Sequence, residues 1–182
     1  FRRLTPAPTR PTEFSLKLTP IFTLPERAAL LNSMGEHLSE LIAEADEIVN
    51  GYYRIFGGAA VKLDLAPKDA AKHWTEVKTL PGQDIKLTWE PARFGWAFTL
   101  GRAYLATADE RYAHSFWQYW QTFMLANPVN CGPNWESGQE VALRLIACIF
   151  AAQVFKVSPH STPQRMQALL NAIGQHAERI PA

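Results

Sequence analysis

The sequence predicts an all-α domain built of helical hairpins, and three observations carry that prediction. Apolar residues recur at three- and four-residue spacing along most of the chain beyond residue 25. The stretches are bracketed by helix punctuation, with Asp109 and Ser161 or Thr162 placed as N-caps and Asn50-Gly51 as a stop. The later connections are short, except for the loop at 126–134, and short links join helices that fold back on one another.

Residues 1–25 carry Pro6, Pro8, Pro11, Pro20 and Pro25 and read as an extended arm, because proline fixes φ and removes a donor. Thr23, Pro25 and Glu26 then open a helix that runs to Val49. Its apolar stripe is Leu30, Met34, Leu38, Leu41, Ala45 and Ile48. Residues 52–66 read as two short extended pieces around Gly57-Gly58. Residues 67–83 are polar and irregular, with His73-Trp74 and a Pro81-Gly82 turn. Four helices follow, at 85–107 with a possible break near Pro91, 109–125, 135–156 and 162–179, the third capped by Asn134.

Two of these helices are apolar nearly all round. One carries Phe94, Trp96, Ala97, Phe98, Leu100, Ala103, Tyr104 and Leu105; the other runs from Val141 to Phe155. Such helices are buried, and in a buried helix Gly95 and Gly101 permit close backbone approach. Tyr104 and Tyr112 fall at packing positions and are read as core. Buried helices alternating with amphipathic ones are the pattern of an α/α toroid, and a solenoid of helix hairpins would read alike.

Composition narrows the function classes. A net charge of +1 supplies no field to recruit nucleic acid or an anionic membrane surface. The longest uncharged apolar run, Leu145 to Phe155, is too short to span a bilayer. Cys131 and Cys148 form no disulfide framework or metal pair, and the histidines lack zinc-ligand spacing, so no metal or cofactor is expected. Six Trp, five Tyr and ten Phe suit a large helical core and a sugar-binding cleft equally. Opening at Phe1 and closing at Pro181-Ala182, the sequence reads as a piece of a longer protein.

Two constellations stand out. In "DIKLTWEPAR", residues 84–93, Lys86 and Glu90 share one helix face and Trp89 and Arg93 another. These are either a solvated helix start or a charged entrance to a buried helix. In "NPVNCGPNWESGQEVALR", residues 127–144, Glu136, Glu140 and Arg144 lie four apart. Arg144 sits in an apolar helix, where an unpaired charge is costly, so a partner is required: Glu140 in the favourable i,i+4 order, or a ligand carboxylate.

These stretches, with "AYLATADERYA" at 103–113, resemble the N-terminal helical domain of the heparinase II/III-like polysaccharide lyases. The resemblance implies an incomplete α/α toroid over residues 26–182, completed elsewhere by further helices and a β-sandwich. It implies cleavage of uronic-acid-containing acidic polysaccharide by β-elimination. That chemistry needs the uronate carboxylate neutralised, a base for the C5 proton and an acid for the departing O4. The family's Asn-His segment, Tyr and His are expected beyond residue 182, since no Asn-His dipeptide occurs here, and the piece alone is expected to be inactive. The matching positions are Lys86, Trp89, Glu90, Arg93, Asn134, Trp135, Glu140 and Arg144. By the resemblance Trp89 and Trp135 form cleft wall, with Asn134-Trp135 facing sugar. Lys86, Arg93 and Arg144 hold acidic groups or brace the cleft through Glu90 and Glu140. The partners implied are the polysaccharide and the rest of the protein's own chain; a periplasmic or secreted location is suggested.

Two other readings compete: a binding domain for acidic glycans that cuts nothing, and a helical scaffold. "TLGRAYLATADERYAHSFWQYW" resembles a tetratricopeptide unit, but a repeat of about 34 residues would place Gly101 and Tyr104 on Trp135 and Gly138. No second copy comes into register.

Overall fold

The computed structural model describes residues 19–20, 22–67, 70–78, 82 and 84–180. The expected arm is therefore mostly outside the described residues, as is Pro81 of the expected turn. The chain is mainly helical, in the order α1 (Arg27–Met34), α2 (Leu38–Val49), β1 (Tyr52–Arg54), β2 (Ala60–Lys62), α3 (Lys86–Ala92), α4 (Gly95–Thr107), α5 (Glu110–Ala126), α6 (Gly138–Phe155) and α7 (Pro163–Arg179). The two short strands pair antiparallel, with Tyr53 opposite Val61.

The first expected helix is two. Gly35, at φ 49° and ψ −126°, ends α1, which buries none of its residues, and a single 3₁₀ turn leads into α2. The fully buried part of the stripe is on α2, Leu41, Ala45 and Ile48, while Met34 of α1 packs against the core half-buried. The start also falls later than Thr23, and no side chain caps it. Instead α1 is held by Arg27, whose Nε donates to Ala106 O at 2.7 Å at the C-terminal end of α4.

α4 is the central helix. It packs against α2, α5 and α6, and α6 packs in turn against α7. α4 and α5 form one hairpin and α6 and α7 a second. The caps at Asp109 and Thr162 form as expected, each side chain accepting from a backbone N–H in the first turn. Asn134 is not a cap: Ser137 fills that role, its Oγ accepting from Glu140 N at 3.4 Å. Gly101 faces Phe150, where an added Cβ would lie 2.4 Å from the ring, so α6 sets the far end of a side chain, and not its backbone, against this glycine.

Residues 85–107 divide near Pro91 as expected, at Arg93-Phe94. Phe94 takes φ 61° and ψ 31°, left-handed backbone that a bulky side chain rarely adopts. Its ring is fully buried between Trp96 and Phe123, with centroids 4.8 and 4.9 Å away, and that packing offsets the strain. Among the described residues α6 is long and apolar enough to cross a membrane by length and composition alone. It also carries Glu140 and Arg144 and is packed against α4 and α7.

Candidate functional site

The matched residues converge where α3, the 3₁₀ turn Pro133–Trp135, α6 and α7 meet, and most of them are engaged with one another. Arg93 grips Glu140 in a fork, Nε to Oε2 at 2.5 Å and Nη2 to Oε1 at 2.9 Å, and its third nitrogen bonds Glu90. Two carboxylates around one guanidinium raise the Arg93 pKa, the Glu140 hydrogen bonds contributing most. Trp89 donates its indole N–H to Pro133 O at 2.9 Å. Lys86 stands exposed at the first turn of α3.

The expected Glu140–Arg144 pair does not form, because Glu140 is turned to Arg93. Arg144 is wholly buried and is held by neutral acceptors: His176 Nε2 at 2.8 Å, Ala92 O at 3.1 Å and Asn134 O at 2.9 Å. Its guanidinium also lies over the rings of Phe123 and Trp135, at 4.8 and 5.2 Å from their centroids. Burial pushes its pKa down to about 10, which leaves it charged at neutral pH.

Trp135 is not a surface residue. It is fully buried, its ring 4.7 Å from that of His176 and its N–H directed at Asn127 O at 3.4 Å. Its carbonyl accepts from Arg179 Nε at 3.0 Å, so the turn is clamped from α7 as well. His176 and Arg179 went unremarked in the sequence, where cations in the last turn of a helix read as dipole partners. His176 nevertheless shares the apolar spacing of Leu169, Ala172 and Ile173, all buried, which is the signal that would have found it.

The tautomer of His176 follows from its neighbours. Ala172 O can only accept, so Nδ1 donates to it at 2.6 Å and Nε2 offers its lone pair to Arg144. Burial first, then the Arg144 charge, push the His176 pKa down to about 3. Below pH of about 6.5 the unfolded chain gains a proton that folded His176 refuses. Its contribution is thus complete above that pH and declines toward pH 3, by up to about 1.4 kcal/mol per unit. Urea midpoints between pH 7 and 4 should show this slope, reduced in His176→Gln; equal slopes would mean that another group sets the acid limit.

Beside this brace lies an open cleft of about 810 Å³. One wall is the hairpin, with Tyr53, Ile55, Val61 and Lys62; the other is the face of α3 that carries Thr88 and Pro91, with Ile85 and Leu87 beside it. Pro133 and Asn134 close it, and Lys72 and Lys78 reach it from the segment between hairpin and α3. α3 thus turns one face to the cleft and another, bearing Trp89, Glu90 and Arg93, to the brace. Of the matched residues only Asn134 lines the cleft. Burial, then the charges of Glu90 and Asp64, push the Tyr53 phenol up to about 12, so it keeps its proton as a donor.

Asn127 fixes the orientation of Asn134. Its Nδ2 donates to Leu65 O and Phe123 O, both at 2.8 Å, so its Oδ1 must accept, and Asn134 Nδ2 donates to it at 2.9 Å. Asn134 Oδ1 is left buried with no partner, an unmet acceptor on a cleft residue. The sequence offered Asn127 only as half of an Asn-Pro loop signal.

Among the described residues no three His, Cys, Asp or Glu side chains group as a metal site would require. No curated protein and no solved structure matches the chain. The family described as Heparinase II/III N-terminus matches residues 39–182, most of the chain, with α2 from its second residue and all of α3 to α7, and the protein belongs to that family.

Proposed function

We propose that this chain is the glycan-binding helical part of a polysaccharide lyase that cleaves uronate-bearing acidic polysaccharide by β-elimination, and that the polymer lies along the cleft between the hairpin and α3. The observation that carries the reading is the cleft itself in a member of this family. Lys62, Lys72 and Lys78 line it against Asp64 and Glu76, and it holds the Tyr53 phenol and Asn134. Cations suit uronate carboxylates, while a neutral phenol and an amide suit ring hydroxyls. Arg93, Glu140 and Arg144 hold the wall behind Asn134, and the hairpins take their place in an α/α toroid. The residues that move protons are not assigned within this chain.

One observation favours a binding-only alternative: the strongest charges at the site, Arg93, Glu90 and Glu140, are closed on one another. The deciding experiment incubates the intact protein with heparan-type, alginate-type and capsular uronate polymers and follows the ultraviolet absorbance of the unsaturated uronate. Product from one polymer supports the lyase. Binding without product leaves a glycan-binding domain, and neither binding nor product removes both readings. In a binding titration of the intact protein with the same polymers, Lys62→Glu with Lys78→Glu should raise Kd by about tenfold at low salt, an effect that shrinks as salt screens the pair. An unchanged Kd would place the polymer elsewhere.

A further inference from the structure

The hairpin turn carries a residue that its geometry disfavours. Gly58 N donates to Ile55 O at 2.9 Å, and between them Phe56 and Gly57 both take positive φ, 51° and 73°. This is the pattern of a type I′ turn, which calls for Asn, Asp or Gly at the first central position. Phe56 sits there instead. Phe94, the other phenylalanine in left-handed backbone, is offset by full burial, whereas Phe56 is 70% exposed and has no comparable packing to offset its strain. Its chain neighbour Ile55 lines the cleft, as do Val61 and Leu87, both exposed, so the turn adjoins an apolar stretch of the cleft wall through Ile55.

We propose that Phe56 is a stacking platform for a pyranose ring of the acidic polysaccharide at the mouth of the cleft. The electron-rich face of an aromatic ring receives the C–H face of a sugar, and a phenylalanine has only two χ angles to immobilise on binding. Lys62 and Lys78 then take the carboxylates of the same chain. The inference rests on the reading of the cleft as a glycan site and adds to it a residue that the family resemblance did not mark.

The test is Phe56→Asn in the intact protein, read two ways against uronate oligosaccharides of heparan and alginate type. Asparagine suits the turn, so Tm should rise by about 2–4 °C. Loss of the ring should raise Kd about tenfold. Phe56→Trp should keep the affinity. A higher Tm with unchanged Kd overturns the platform and leaves the cleft reading standing. A lower Tm shows that the ring serves the fold and overturns it too. If the unaltered protein binds no uronate oligosaccharide, the platform and the cleft reading fall together.

Discussion

Replacing Arg144 by methionine is expected to destabilise the domain by about 3–5 kcal/mol. Two effects oppose each other. Methionine relieves the desolvation of a wholly buried guanidinium and keeps apolar contact with Phe123 and Trp135. Against that, the Arg144 bonds to Ala92 O, Asn134 O and His176 Nε2 are lost in the interior, at about 1–3 kcal/mol for each acceptor left unmet. Arg144 touches no carboxylate, so its removal strands no opposite charge, but the orphaned acceptors outweigh the relief. Lysine should not rescue, since one ammonium cannot reach three acceptors spread around a planar fork. Adding His176→Leu to Arg144→Met should recover about 1 kcal/mol by removing one orphan. Urea unfolding measures all four proteins, and a loss under about 1 kcal/mol for Arg144→Met would show that desolvation relief had won.

What local spacing determines was readable. α4, α5, α6 and α7 lie within a few residues of their expected bounds, because apolar periodicity and the caps at Asp109 and Thr162 are properties of neighbouring residues. The site obeyed a different rule. Glu140 and Arg144 have the spacing of an ion pair, yet each finds better partners far along the chain, Arg93 for one and Ala92, Asn134 and His176 for the other. Helix spacing shows which side chains share a face and does not show what another helix brings against it. Trp135 failed for a related reason. The resemblance sets it at the cleft wall, but its indole is drawn inward by Asn127, His176 and the Arg144 charge. The cleft left little trace in the sequence, because its walls come from a short hairpin, an irregular segment and one face of a seven-residue helix.

Gly132→Ala is expected to cost about 2–4 kcal/mol and to weaken glycan binding with it. Two independent strains add. Gly132 holds φ 78° and ψ 176°, a region open to little but glycine. A Cβ there would also lie 2.8 Å from the Cα of Ala70, which is main chain and cannot rotate aside. The two segments are tied just beyond that contact, on either side of the His73–Cys131 bridge, Gly132 N to Lys72 O at 2.7 Å and Trp74 N to Asn130 O at 3.0 Å. Forcing them apart moves Pro133 and Asn134, and with them the Trp89 bond and the closed end of the cleft. Gly101→Ala is the informative control. Its Cβ would meet the Phe150 ring more closely still, at 2.4 Å, but that ring is only half-buried and can swing. Alanine also gains about 1 kcal/mol of helix propensity over glycine, so the net change should stay within about 1 kcal/mol. Unfolding midpoints and oligosaccharide Kd for both variants decide the matter. If Gly132→Ala proves as mild as Gly101→Ala, the pairing of residues 70–74 with 130–132 yields easily and is not what holds the cleft open.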